Sequence, residues 1–425
     1  MSEQARARGW TGFYRRLWQR RATEPGGFDF RLVTLAMLLT VVCTMPLWLV
    51  SALSVQMRAE LDFSIVALGG AVAVQRMGGA VLAWPLGRLA DRVGPTGAMR
   101  TAAGLAAISA LGIAAVARGY LVLTLFLLIS GASNALGQTA ANLALVRAVP
   151  GNRQGVAFGI KQSALPVGSL LAGLAVPLIG LTIGWRWAFV LATALSLVVV
   201  IMVPRKGLER YAKPSGVRNR VQRRRPLLVL AIGLFFGMGA AMALTTYTVE
   251  SATAAGVGAA AAGLLLTLGS AASIATRLYA GYRADKRGGA HLVTVARMQF
   301  TGAVGILLIA TQIPSLLLVG TLIAFALAWG FNGVFWFAIV RLSPATPAAA
   351  SGLVMPGGML GGVVGPIVFG LIADQAGFQT AWYVAASWSV IAGSLMLVGR
   401  RLLRASLDPA GSSPPPSQDP AEEPS

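Results

Sequence analysis

The chain has 425 residues, 56% of them hydrophobic and only 12% charged, with 51 glycines and a mean hydropathy of +0.71. A soluble domain carries about 25% charged residues, so this surface is not built for water. The net charge of +21 is dispersed between apolar runs, without the continuous patch a nucleic-acid partner needs, and the single cysteine (Cys43) and single histidine (His291) exclude a disulfide scaffold and a Cys/His metal site.

Residues 1–31 come first, with Arg6, Arg8, Arg15, Arg16, Arg20, Arg21 and Arg31 and no apolar core or small-residue cleavage site, so they are not read as a secretory signal. Trp10, Phe13, Tyr14 and Trp18 are interleaved with the arginines. A basic segment on the inner headgroup surface and a disordered basic tail fit this stretch equally.

A membrane core about 30 Å thick needs about 20 apolar residues per helix. Runs of that size predict twelve spans, at 32–54, 65–87, 98–117, 120–145, 155–180, 185–204, 226–249, 259–281, 290–311, 315–340, 350–373 and 379–400. The chain thus divides into a basic segment (1–31), a six-helix bundle (32–204), a basic linker (205–225), a second six-helix bundle (226–400) and a tail (401–425). The tail, rich in Pro and Ser with acidic residues from Ser406 on, reads as disordered. Placing both termini inside puts 29 of the 35 Lys and Arg residues on the cytoplasmic side, as the positive-inside rule requires. The expected location is the cell's inner membrane, with lipid and a small solute as partners and a monomer as the working unit. No cofactor and no metal is expected.

The halves share a register. Gly87, Asp91, Gly94, Arg147, Pro150 and Gly168 return as Gly281, Asp285, Gly288, Arg341, Pro344 and Gly362, each 194 residues on. Duplicated halves are the repeat of secondary transporters, whose solute site lies between them near the midplane.

Two short loops carry the clearest motif. Gly87-Arg88-Leu89-Ala90-Asp91-Arg92-Val93-Gly94 and Gly281-Tyr282-Arg283-Ala284-Asp285-Lys286-Arg287-Gly288 each hold an Asp between glycines. The Asp can accept hydrogen bonds or pair with an Arg across the bundle, and the last Gly is expected to end its helix in a left-handed conformation.

These loops resemble the G-x-L-A-D-R-x-G motif of the major facilitator superfamily, closely in the first copy and more loosely in the second. The resemblance covers about residues 32–400. It implies an all-α fold of two pseudo-symmetric six-helix bundles around a central cavity, alternating access by rocking, and an inner gate containing Asp91 and Arg92. Gly361-x-x-x-Gly365-Pro366-x-x-x-Gly370 is similar to a Gly-Pro element of the same family. The fourth-span Arg and fifth-span Gly-Pro of its drug:proton exporters are missing, since Leu127 and Leu165 stand at those positions.

Ionisable groups inside spans are costly unless paired or facing water. Arg76 lies eleven residues before Gly87, about 16 Å inward at the helical rise. Lys161 and Gln162 sit one to two turns into the fifth span, where Lys161 could line the cavity or snorkel. Arg277, four residues before Gly281, resembles the anion-gripping Arg of nitrate/nitrite porters, although Ala83 occupies the matching place in the first half. Each could instead serve an internal contact, such as an inner-gate salt bridge at Arg277.

Asn134 with Gln138, and Asn332 with Trp336, share helix faces at four-residue spacing. They are candidate lining groups together with Tyr247 and Trp48, the alternative being interhelical hydrogen bonds. No carboxylate sits in mid-span, and Glu250, at the outer end of the seventh span, is the one candidate for proton coupling. Buried cations without buried anions favour an anionic guest, so the sequence points to a transporter of a small anion resembling an organic carboxylate. The alternative is an exporter of lipophilic compounds. No nucleophile–base pair suits an enzyme, and no G-x-x-x-x-G-K-[ST] motif supports direct ATP drive.

Overall fold

The computed structural model describes residues 30–149, 154–204, 224–286, 291–342 and 347–405. Among these the regular elements are all helices. In chain order they are α1 (Phe30–Ala52), α2 (Ser54–Leu61), α3 (Ile65–Ala115), α4 (Tyr120–Ala148), α5 (Gln154–Gln162), α6 (Ala164–Ala175), α7 (Trp185–Met202), α8 (Arg224–Ala254), α9 (Ala259–Lys286), α10 (His291–Ala310), α11 (Pro314–Ile323), α12 (Asn332–Leu342) and α13 (Pro347–Ala405). One wide π-helical stretch, Val176–Gly180, extends α6, and another, Ala324–Trp329, joins α11 to α12. Most of the expected basic segment, linker and tail, and Gly288, Pro150 and Pro344, lie outside the described residues, as do the side chains of Asp91, Arg147, Gly281 and Asp285.

The twelve predicted spans are recovered once two long helices are divided. α3 breaks at Gly94 (φ 72°, ψ 170°), separating the second and third spans, and α13 breaks at Gly377 (φ 81°, ψ 163°), separating the eleventh and twelfth. Only glycine enters this positive-φ, extended region readily. The left-handed helical ending expected at Gly94 is corrected in ψ. Pro95 follows, and a residue before proline is pushed to extended ψ, so the chain swings across rather than curling. The fifth span is α5 plus α6 and the tenth is α11 plus α12. α2, a short helix in the first outer loop, was not expected from hydropathy; its low apolar content hides it from that measure.

Helix starts follow local chemistry. The Ser64 side chain accepts a hydrogen bond from the Ala67 N–H at 3.1 Å, and Pro314 stands at the first turn of α11. The expected Gly-Pro element lets the eleventh span lie directly on the seventh. A Cβ on Gly361 would come within 2.0 Å of the Phe235 carbonyl oxygen, and one on Gly365 within 2.3 Å of that of Gly239. Large apolar side chains such as Leu121 and Ile201 are turned outward, where lipid would meet them.

The 194-residue register is also spatial. Gly168 packs against Trp48 in the first half, and Gly362 against Met242, the counterpart of Trp48, in the second. Contacts between the halves repeat in the same way. A Cβ on Gly69 would meet the Pro366 oxygen at 2.4 Å, and one on its counterpart Gly263 would meet the Gly173 oxygen at 2.8 Å.

We call the end that bears α2, Gly184 and Gly377 the outer end, following the charge distribution. There the halves are sealed. Arg58 pairs with Glu250 at 2.9 Å, and the Tyr247 hydroxyl lies 2.9 Å from the Pro366 oxygen and 3.2 Å from that of Ile65. Deeper, Ser270 meets Ser169 at 3.0 Å. Toward the other end, Met359 and Met355 follow Pro366 at helical spacing on the eleventh span, and these two, with Met77 of the second span, are exposed. We take them to border an opening toward the inner end, closed at its apex.

Candidate functional site

The apex is aromatic. Trp48 of the first span and Trp329 of the tenth meet edge to face with centroids 5.8 Å apart, and both are buried. Each ring carries an arginine. Arg76 lies 6.0 Å from the Trp48 centroid and Arg277 5.3 Å from that of Trp329, within the range of cation–π attraction.

The hydrogen-bond partners of these arginines are neutral. Arg76 donates from Nη2 to the Met242 sulfur at 3.1 Å, across the two halves. Arg277 donates to the Trp329 oxygen at 3.1 Å and, across the halves, to the Gln162 oxygen at 3.4 Å. The Nε–H of each is buried with no acceptor among the described residues, as is the indole N–H of Trp48. The described ion pairs, Arg58–Glu250 and Arg186–Glu60, lie at the outer end. Among the described contacts Arg277 is bonded to carbonyls.

Lys161 sits beside Gln162, 1% exposed. Its Nζ donates to the Gln138 Oε1 and, at 3.1 Å, to the Asn142 Oδ1. Gln138 in turn is 3.5 Å from Asn134, so Asn134, Gln138 and Asn142 form one ladder along α4 at four-residue intervals. The snorkelling considered for Lys161 does not occur, because two amides capture the ammonium first.

Arg76 and Arg277 are thus linked through the tryptophan pair, and Lys161 adjoins Gln162, whose carbonyl Arg277 reaches. Asn332 donates to the Met238 sulfur at 3.4 Å, and its buried Oδ1 has no partner among the described residues. Trp336 is half-buried one turn further on. Tyr247, expected to line the opening, is instead fully buried in the outer seal with its hydroxyl committed to backbone carbonyls. Glu250 is held by Arg58 in the same seal. Gly87 and Arg92 lie at the inner edge, with Arg92 exposed.

Trp329, Asn142, Met242 and Arg58 were not singled out from sequence. Asn142 was legible as the next rung after Gln138, and Met242 as the 194-residue partner of Trp48. Trp329 and Arg58 had no local signal. A separate shallow crevice between the seventh, eleventh and twelfth spans, lined by Gly239, Ala243, Phe369 and Trp388, has no charged group in its lining.

The all-helical, duplicated bundle agrees with the comparison to known proteins. The Major Facilitator Superfamily profile matches residues 36–355. The chain belongs to this superfamily of membrane transporters. An MFS transporter, asaE of Aspergillus flavus, is 25% identical over 297 residues, and the match spans 65% of each chain. Among solved structures, a bacterial homologue of the human lysosomal transporter Spinster, in an inward-facing and occupied conformation, superposes with a TM-score of 0.71 at 14% identity, covering 89% of this chain and 98% of the other. A D-xylose-proton symporter gives 0.70 at 17% identity, covering 87% and 97%. These two likenesses speak for the fold. Family membership makes this protein a multi-pass membrane transporter rather than an enzyme.

Proposed function

We propose that this protein is a secondary transporter that carries a small anion, resembling an organic carboxylate, across the cytoplasmic membrane by alternating access, with both termini inside. The observation that carries this reading is the pair of arginines at the apex, each with a buried, unpartnered Nε–H and neutral contacts elsewhere. A carboxylate accepting from both would offset their charge and make charge-assisted, bidentate bonds. Arg76 belongs to one half and Arg277 to the other, so a bound anion would also draw the halves together. Gln162, Asn134, Gln138, Asn332 and Trp336 would orient it. The two glycine-flanked motifs, with Asp91, Asp285, Gly281 and Gly288, would act at the inner gate. Arg58–Glu250 and Tyr247 would hold the outer one.

Uptake into reconstituted vesicles, screened with labelled mono- and dicarboxylates, nitrate, cyanate and sugars, tests this. Anions should accumulate, and Arg76→Gln or Arg277→Gln should lower their uptake at least tenfold. Unchanged uptake of every anion after neutralising Arg76 and Lys161 would overturn the reading. Export of lipophilic compounds is the second reading, supported by the exposed methionines toward the inner end (Met77, Met355, Met359). A lipophilic dye moved by the protein in the same vesicles, without anion uptake, would favour it.

A further inference from the structure

The described cations at the centre differ in one respect. Arg76 and Arg277 are permanently charged, because a guanidinium does not lose its proton in a protein. Lys161 can lose its proton. Its stem is buried where α5 packs on α1 and α4, while its nitrogen lies between half-buried Gln138 and exposed Asn142. Both partners are amide oxygens. They accept an N–H from an ammonium or from a neutral amine alike, so either charge state keeps the same geometry.

The surroundings give the ammonium no counter-charge among the described residues. Cys43 faces it from α1. From α9 comes Arg277, bonded to the next residue's carbonyl. α4 contributes the amides, and α6 contains no titratable group. A buried ammonium lacking a carboxylate partner among the described residues is costly to keep charged when no anion is bound.

We propose that Lys161 is the proton-carrying group of the transport cycle. With the site empty and open inward, the ammonium releases its proton to water at the Asn142 edge and becomes an amine. When an anion binds, its charge favours the ammonium, and a proton from water returns to the nitrogen. By linkage the proton raises affinity for the anion by the factor through which the anion raises affinity for the proton. The cycle then moves one proton with each monocarboxylate in the same direction, without net charge. This assigns to Lys161 the role for which the sequence offered Glu250, and it rests on the anion reading above.

Two measurements test it on the full-length protein. The first needs no solute: thermal unfolding of wild type and Lys161→Met in detergent from pH 6 to pH 10. If Lys161 gives up its proton in the folded protein within this window, the unfolded chain binds the extra proton, and the wild-type Tm climbs by several degrees relative to the variant as pH rises. A constant difference overturns the proposal. Should Lys161→Met not fold, Lys161→Arg serves the same comparison. The second uses benzoate as probe, with quenching of tryptophan fluorescence as readout. Wild-type affinity should fall at least tenfold between pH 6 and pH 10, Lys161→Arg should abolish that dependence, and Cys43→Ser should retain it. A pH dependence that persists in Lys161→Arg, or vanishes in Cys43→Ser, overturns the assignment. If benzoate does not bind at all while the Tm difference still varies with pH, the anion reading fails for this probe and the proton site stands.

Discussion

Trp48 and Trp329 come from opposite halves and meet edge to face, with centroids 5.8 Å apart. Each also carries an arginine, at 6.0 Å and 5.3 Å, so the roof of the opening and its charged groups form one unit. Separating the halves at the outer end must break this aromatic contact and the Arg76–Met242 bond together.

Trp329→Leu should therefore favour separation. An edge-to-face pair contributes about 1 kcal/mol, roughly a fivefold shift in the equilibrium between the two access states. Maleimide labelling from outside of a cysteine placed at Ser270, buried between the halves, in a Cys43→Ser background, reads it. Unchanged labelling would detach the aromatic contact from gating.

Gly69→Val should act more strongly in the same direction. The added Cβ would lie 2.4 Å from the Pro366 oxygen and 2.5 Å from the Tyr247 hydroxyl, so the seal could not close as it stands. The expected result is a protein held open outward, labelled readily at position 270 and turning over at least tenfold more slowly. Normal turnover would show that the second and eleventh spans close elsewhere.

Arg58→Ala leaves Glu250 buried without its partner, and the second carboxylate oxygen already lacks one. The single change should destabilise the seal by about 3 kcal/mol, and more than Arg58→Ala combined with Glu250→Gln does. A double-mutant cycle on thermal unfolding gives the coupling, and additive effects would mean the pair is incidental.

Glu60 offers a pH test outside the spans. Burial alone would raise its carboxyl, but hydrogen bonds from Trp185 and Arg186, and the charges of Arg186 and Arg118, outweigh this and hold it below the usual carboxylate value. A depressed folded value adds stability above the unfolded value and loses it as pH falls through the folded one. Glu60→Gln should lower Tm at neutral pH, with the difference shrinking as pH falls below the usual carboxylate range. The effect is small, because the Glu60 side chain is 48% exposed and solvent screens such a pair. A difference that does not change with pH would assign the effect to packing.

The spans, their number and the duplicated register were all legible in the amino-acid order. Hydropathy over 20 residues is a local quantity, and repeated landmarks such as Gly168 and Gly362 survive at a fixed offset. The three basic residues were legible too, because a charge within an apolar run needs a reason wherever the helix goes. What each of them touches was not. Arg58 and Glu250 are 192 residues apart, Trp329 reaches Trp48 from another span, and Tyr247 turned from the opening into the seal. Such pairings depend on how closely the two halves approach and at which end, and that is set by backbone contacts at small residues such as Gly69 and Gly263. Sequence decides which helices exist because the membrane imposes one rule on every segment; only the packed bundle decides which side chains share a centre, because that depends on distances between segments no local pattern encodes.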